Sequence, residues 1–133
     1  MILLDTHALI WHAQGDRQLG SRTRKMIEAK SSAGEVSFSA LTIWELALLA
    51  SAQRIRLDLP CETWRMRLLG RGLREVPVDG EIAWIAAGYR SALIDPLDCM
   101  LAATAVRVGA VFITAETRIL EWDLGPQLHD ASR

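Results

Sequence analysis

Cysteine is scarce: Cys61 and Cys99 are the only two in 133 residues, and they stand far apart. Two thiols cannot complete a zinc site alone, and a disulfide scaffold of this length needs more of them. Both are therefore expected to be reduced, as in a cytoplasmic protein. Net charge is nearly absent as well. Fifteen Lys and Arg face sixteen Asp and Glu, which argues against a global basic field for nonspecific DNA wrapping and against an acidic disordered tail. An RNA enzyme with local patches stays compatible with that balance. No apolar run approaches the roughly 18 to 20 residues of a membrane span. The opening MILLD lacks the basic region and long apolar stretch of a secretion signal. Repeats, low-complexity tracts and linkers are missing too. Half the residues are apolar, enough core material for one soluble, intracellular domain over residues 1–133.

Gly and Pro act as isolated punctuation, at Gly34, Pro60, Gly80, Pro96, Gly109 and Pro126. Between them, short apolar strands are expected at Ile2 to Leu4, Val36 to Ser39 and Val111 to Thr114, with a short extended piece at Arg74 to Pro77. Helices are expected over Thr6 to Ala13, Gly20 to Ser32, Leu41 to Ser51, Cys61 to Gly70, Asp79 to Tyr89 and Leu97 to Val108, and a short one from Ala115 to about Trp122. Strands that alternate with helices and are apolar throughout indicate an α/β fold, a buried parallel sheet covered on both faces.

Acidic residues stand where the local pattern does not ask for them. Asp5 sits where the first strand gives way to a helix, a position that also suits a helix N-cap. Glu45 lies in LTIWELALL, apolar on nearly every side. A buried, unpaired carboxylate costs several kcal/mol or takes up a proton, so it needs a cation or strong donors unless it faces an exposed edge. Asp95 precedes Pro96, the pattern of an N-cap followed by proline at the first helical position. Asp98, three residues on, suits a capping box or the helix dipole, and shares a helical face with Asp95. Glu116 follows the strand ending at Thr114, with Thr114 as the expected N-cap and Glu116 as a first-turn acid.

Taken singly, each acid has a structural explanation. Taken jointly, Asp5 and Glu116 both follow carboxyl ends of parallel strands, the edge where open α/β sheets bind ligands. If Glu45 and Asp98 face the same crevice, four carboxylates converge, and repulsion raises some of their pKa values unless cations intervene. Oxygen donors without a Cys or His set suit hard divalent ions, Mg²⁺ or Mn²⁺. Such ions activate water and stabilise the attacking and leaving oxygens in phosphodiester cleavage.

At this point a family likeness appears. LLDTHALIW, FSALTIWELALL, DPLDCMLAATA and VFITAETRIL resemble, in order and spacing, the four acidic blocks of PIN domains, in particular the VapC-type toxins. The resemblance implies a three-layer α/β/α sandwich with a short, mostly parallel central sheet. Asp5, Glu45 and Asp98 match the three central acids, and Asp95 the extra aspartate before proline. Glu116 stands where the family usually has Asp, which displaces its carboxylate by about one bond. Cys99 stands where a basic residue is common. Thr6 and Thr114 match small polar positions that orient carboxylates or water from behind.

The activity so implied is a divalent-metal endoribonuclease that uses Mg²⁺ or Mn²⁺, with Asp5, Glu45, Asp98 and Glu116 as metal-binding catalytic residues. Metal-activated water attacks the phosphorus in line, leaving 5′-phosphate and 3′-hydroxyl ends. Substrates are tRNA or rRNA loops, where splayed bases leave the backbone reachable. The resemblance also implies a homodimer and a small antitoxin whose basic side chain enters the acidic pocket, with helices around Trp44 and Trp64 as its groove.

Arg22, Arg24 and Lys25, then Arg54 and Arg56, then Arg65, Arg67, Arg71 and Arg74 are candidate phosphate contacts, although each cluster also suits a solvated face. Trp11, Trp44, Trp64, Trp84 and Trp122 form no stacking motif and suit core or interface packing. His7, His12 and His129 lack ligand spacing; His7 is near enough to Asp5 to touch substrate, or to serve local structure. Other readings are a non-catalytic PIN scaffold, a PIN nuclease outside toxin systems acting on other RNA or on DNA, and a receiver-like signalling domain. The last wants an acidic pair after the first strand, an Asp after a middle strand and a late Lys. VSFSA and Val108 to Thr114 supply neither of the latter two. A haloacid-type phosphatase wants DxD where this chain has DTH.

Overall fold

The computed structural model describes residues 1–93 and 95–133. Five strands are found among them: β1 (Ile2–Leu4), β2 (Val36–Ser39), β3 (Arg74–Val76), β4 (Val111–Thr114) and β5 (Leu128–Asp130). They pair in the order β3-β2-β1-β4-β5, and every pairing is parallel. The helices are α1 (Thr6–Gln14), α2 (Ser21–Ser31), α3 (Ala40–Ser51), α4 (Cys61–Gly70), α5 (Gly80–Ala87), α6 (Pro96–Val108) and α7 (Thr117–Leu120).

The alternation of side chains along a strand splits the core in two. Ile2 and Leu4 of β1 point to one face with Val36 and Phe38 of β2, where Leu9, Ile27, Leu46, Trp64 and Leu68 cover them. Those residues belong to α1, α2, α3 and α4. Leu3 and Phe112 point to the other face, under Ile82 and Ala86 of α5, Leu101, Ala102 and Ala105 of α6, and Ile119 of α7. The central strands β1 and β4 are apolar with almost no alternation because both of their faces are covered. Three layers result, the architecture that the family likeness implies, and the sheet is parallel throughout rather than mostly so.

The element boundaries follow local chemistry. Gly15 and Gly109 close α1 and α6 in the left-handed conformation, with φ of 65° and 67°. Asp79 caps α5 by accepting the Ile82 N–H at 2.9 Å. The strand β5 is absent from the sequence reading. Its residues Leu-His-Asp carry no apolar run, and it is defined by backbone pairing beside β4, with the Phe112 N–H donating to the Gln127 carbonyl at 2.8 Å.

The order of the sheet positions the site. From β1 the chain crosses to β2 on one side, and β4 lies on the other. A crevice at the carboxyl ends of β1 and β4 is therefore the topological switch point.

Candidate active site

Asp5 emerges at that switch point and is buried. As the N-cap of α1 its Oδ1 accepts the Ala8 N–H at 2.9 Å, while Oδ2 accepts the Thr114 hydroxyl at 2.5 Å. One oxygen of Asp5 thus caps the helix while the other engages Thr114. Thr114 Oγ1 also accepts the Glu116 N–H at 3.0 Å. Thr114 is thus not the N-cap of α7, as the sequence suggests. That position is taken by Glu116 itself, whose side chain makes no capping bond. The hydroxyl of Thr114 is committed to Asp5, and Glu116 lines the cleft.

Helix α6 runs back toward β4, so its N-terminus stands over the same edge. Asp95 is its N-cap, with Pro96 in the first turn; Asp95 Oδ1 accepts from Leu97 N at 2.8 Å and from Asp98 N at 3.4 Å. Asp98 closes no capping box: among the described residues no hydrogen bond engages its carboxylate. Helix α3 starts where β2 ends, capped by Ser39. The hydroxyls of Thr6 and Thr42, both buried, meet at 3.1 Å and tie α1 to α3. Glu45 lies one turn beyond Thr42, half-buried.

These placements produce one cleft of about 330 Å³ lined by Asp5, Thr6, Glu45, Asp95, Asp98 and Glu116, with His7, Trp11, Leu101 and Ala115. All five acids named from the sequence reach it, from four distant stretches of chain. Thr6 lines it directly, and Thr114 supports it from behind through Asp5.

The electrostatics follow from that convergence. Burial pushes the Asp5 carboxyl above its ordinary range, opposed by the Thr114 and Ala8 hydrogen bonds and by the nearby His7. Asp98 is pushed to about 7, first by burial and then by the carboxylates of Asp95, Glu116, Asp5 and Glu45. Among the described residues no group of three His, Cys, Asp or Glu side chains is gathered tightly enough to hold an ion as it stands. The acids line the cleft without closing on one point, as mutually repelling carboxylates do.

The other candidates fall outside the cleft. Arg54 and Arg56 line a separate, larger hollow with Ile55, Leu57 and Pro60. Arg65 pairs with Glu75, and Arg67 with Asp58 in a two-pronged contact. Cys99 is buried, its thiol donating to the Leu93 carbonyl at 3.3 Å, so this position faces the core rather than substrate. Trp64 is 1% exposed and cannot line a groove; its place three residues after Cys61 on α4 directs it into the core. Trp44, on the opposite side of the comparison, is 58% exposed. His7 lines the cleft, in keeping with its nearness to Asp5 in the sequence; Trp11, expected in core or interface packing, lines it too, and Thr42 beside it is a residue that the sequence reading does not single out. A lone hydroxyl inside an apolar helix was the available signal for Thr42.

Comparison with known proteins agrees with this geometry. The PIN domain profile matches residues 2–123. Ribonuclease VapC22 of Mycobacterium tuberculosis is 30% identical over 119 residues, 89% of this chain and 88% of that protein. The crystal structure of DNA-bound VapBC from Salmonella typhimurium shares the fold with a TM-score of 0.71 and 22% identity, covering 98% of both chains. VapBC2 from Rickettsia felis, bound to a promoter DNA fragment, does so with a TM-score of 0.72 and 14% identity, covering 97% of this chain and 98% of that one. With the profile spanning nearly all of its length and the relative aligned across most of it, the chain belongs to the PIN-domain family.

Proposed function

We propose that the chain, read as one domain over residues 1–133, is a divalent-metal-dependent endoribonuclease, the toxin of a toxin–antitoxin pair, that hydrolyses phosphodiester bonds in tRNA or rRNA. The observation that carries this reading is the meeting of Asp5, Glu45, Asp95, Asp98 and Glu116 in one cleft at the switch point of the sheet. The relative named as a ribonuclease supports RNA as the substrate.

The donor set fits Mg²⁺ or Mn²⁺. It consists of carboxylate oxygens, with no thiolate among the lining residues, and it carries an excess of negative charge that a cation would relieve. Asp5, Glu45, Asp98 and Glu116 would hold the ion. When bound, it supplies water activation and stabilisation of the attacking and leaving oxygens. The protein supplies order. Asp5 is fixed by Ala8 and Thr114, so one wall of the cleft does not reorganise. Asp95 pins the first turn of α6 and thereby aims Asp98. The Thr6–Thr42 contact sets the distance between the helix of Asp5 and that of Glu45. Glu116, exposed and longer than Asp, reaches in from the rim.

The partner surfaces accord with the same reading. Next to the acidic cleft, and sharing Asp95 with it, lies an apolar depression walled by Leu41, Trp44, Pro96, Leu97 and Met100. The family likeness gives the helices around Trp44 and Trp64 to the antitoxin groove, but Trp64 lies in the core; we assign the Trp44 depression instead to a second copy of the chain in a homodimer. A small antitoxin closes the cleft with a basic side chain, as the family relationship to VapBC pairs suggests. Cys61 and Cys99 are free thiols, which suits the cytoplasm as the place of action.

The test is cleavage of total RNA by the purified chain beside Asp98→Asn. Cleavage is expected with Mg²⁺, none with a chelator, and a loss on the order of 10² to 10³ in rate for the variant, as when one charge-stabilising group is removed from an active site. Equal cleavage by the two proteins would remove the catalytic reading and leave the fold standing.

A further inference from the structure

Three histidines are present, and two are accounted for by the fold. His129 Nε2 meets the Thr23 hydroxyl at 2.9 Å, and His12 is half-buried, its pKa lowered by burial and by Arg71 and Arg24. His7 differs. It stands in the first turn of α1, exposed, and lines the acidic cleft two residues beyond Asp5. Among the described residues its ring takes part in no hydrogen bond. Its aromatic neighbour is Trp11, one helical turn on, met edge to face with centroids 6.4 Å apart and an interplanar angle of 60°. Unlike the other two histidines, His7 lines the cleft itself.

The rest of the lining sharpens the contrast. Beside five carboxylates stand Thr6, whose hydroxyl is engaged with Thr42, and Trp11, Leu101 and Ala115. None of the lining residues is Lys or Arg. A phosphodiester entering this cleft is an anion among anions, and among the described residues His7 is the single basic side chain on its wall. A neutral imidazole keeps one N–H in either tautomer and a cationic one keeps two, so a donor is present whatever the protonation state. The Trp11 contact narrows the ring's freedom in advance, which lowers the ordering cost on binding.

We propose that His7 contacts the RNA directly, donating a ring N–H to a non-bridging phosphate oxygen of the strand lying across the acidic cleft and so holding that strand in register. This rests on the ribonuclease reading. It deepens that reading by naming the chain's own group for the substrate phosphate.

The experiment is steady-state cleavage of a fluorescent single-stranded RNA by wild type, His7→Ala, His7→Phe and His7→Gln, with binding of the same RNA measured by anisotropy in the presence of a chelator. Loss of a hydrogen bond to a charged group predicts a KM raised on the order of tenfold or more in His7→Ala and His7→Phe, with kcat changed less than about threefold. Weaker RNA binding should accompany it, with melting temperature unchanged. His7→Gln, which keeps an N–H donor, should recover most of the loss. A wild-type KM in His7→Ala, or recovery by Phe instead of Gln, overturns the contact. A lower melting temperature as the only change would make His7 structural. Should the wild type cleave no RNA, the ribonuclease reading fails on its own, and equal RNA binding by wild type and His7→Ala then removes this inference too.

Discussion

The two oxygens of Asp5 have different partners, Ala8 N–H for one and the Thr114 hydroxyl for the other, and the energetics of the cleft begin there. Thr114→Val keeps the shape and deletes the hydroxyl. It leaves a buried carboxylate and the Glu116 N–H each short of a partner, a cost of about 1–3 kcal/mol, visible as a lower urea midpoint with an unchanged slope. Asp98 offers a sharper test through pH. Its ordinary pKa of 3.8 is raised to about 7 in the folded chain. Between those values the metal-free folded state holds a proton that the unfolded state has released. The contribution of Asp98 to stability is therefore greatest below about pH 4, falls as pH rises, and is fully lost above about 7. Asp98→Asn removes that penalty. Without metal it should melt above wild type at pH 8, by at least about 3 °C, and the gap should close toward pH 4. A gap independent of pH would show that Asp98 is not under this strain. At this scale Asp5 and Asp95 announce themselves by their positions before helices, and the family likeness points to Thr114 as a support for a carboxylate; its reading as an N-cap fails because its partner, Asp5, is 109 residues away.

Helices and strands were largely legible, for a physical reason. Strands buried on both faces are short apolar runs, and helix ends carry Asp, Pro or Gly. Expected and observed boundaries differ by no more than about two residues for β1, β2, β4, α1 and α6. What eluded the sequence was β5, held by backbone bonds to a single neighbour, and the contact that anchors the chain beyond it. Gly20 lies against the backbone of Arg133, where an added Cβ would stand 1.8 Å from the carbonyl oxygen. Thr23 reaches the same segment through its N–H at 3.1 Å and its hydroxyl at 3.1 Å. Gly20→Ala must therefore push α2 and this segment apart, with a destabilisation of about 1–3 kcal/mol; a variant as stable as wild type would contradict the packing described. Two helix caps provide a paired control. Asp79 caps α5 outside the cleft and Asp95 caps α6 at its rim. Replacing either by Ala should cost about 1 kcal/mol in chemical denaturation, but only Asp95→Ala should also slow RNA cleavage.

The whole molecule presents an acidic cleft beside an apolar surface. Trp44 and Leu48 on α3 and Trp84 on α5 are 58%, 51% and 81% exposed, and large exposed apolar side chains of this kind mark association surfaces. If the depression around Trp44 is the homodimer contact, Trp44→Asp should sediment as a monomer where wild type sediments as a dimer; a dimer that survives the substitution moves the interface elsewhere. The location of the cleft was legible in part, since a parallel sheet binds ligands at its carboxyl edge. Its contents depended on distances no single stretch encodes, such as Thr6 to Thr42. Nuclease chemistry in this molecule requires that the five-carboxylate cleft grip a hard cation. Mn²⁺ titration followed by electron paramagnetic resonance tests this with no assumption about substrate. Wild type should bind Mn²⁺ at this cleft, and Asp98→Asn should bind it at least about tenfold more weakly. Equal binding by the two, or none by the wild type, would contradict the account.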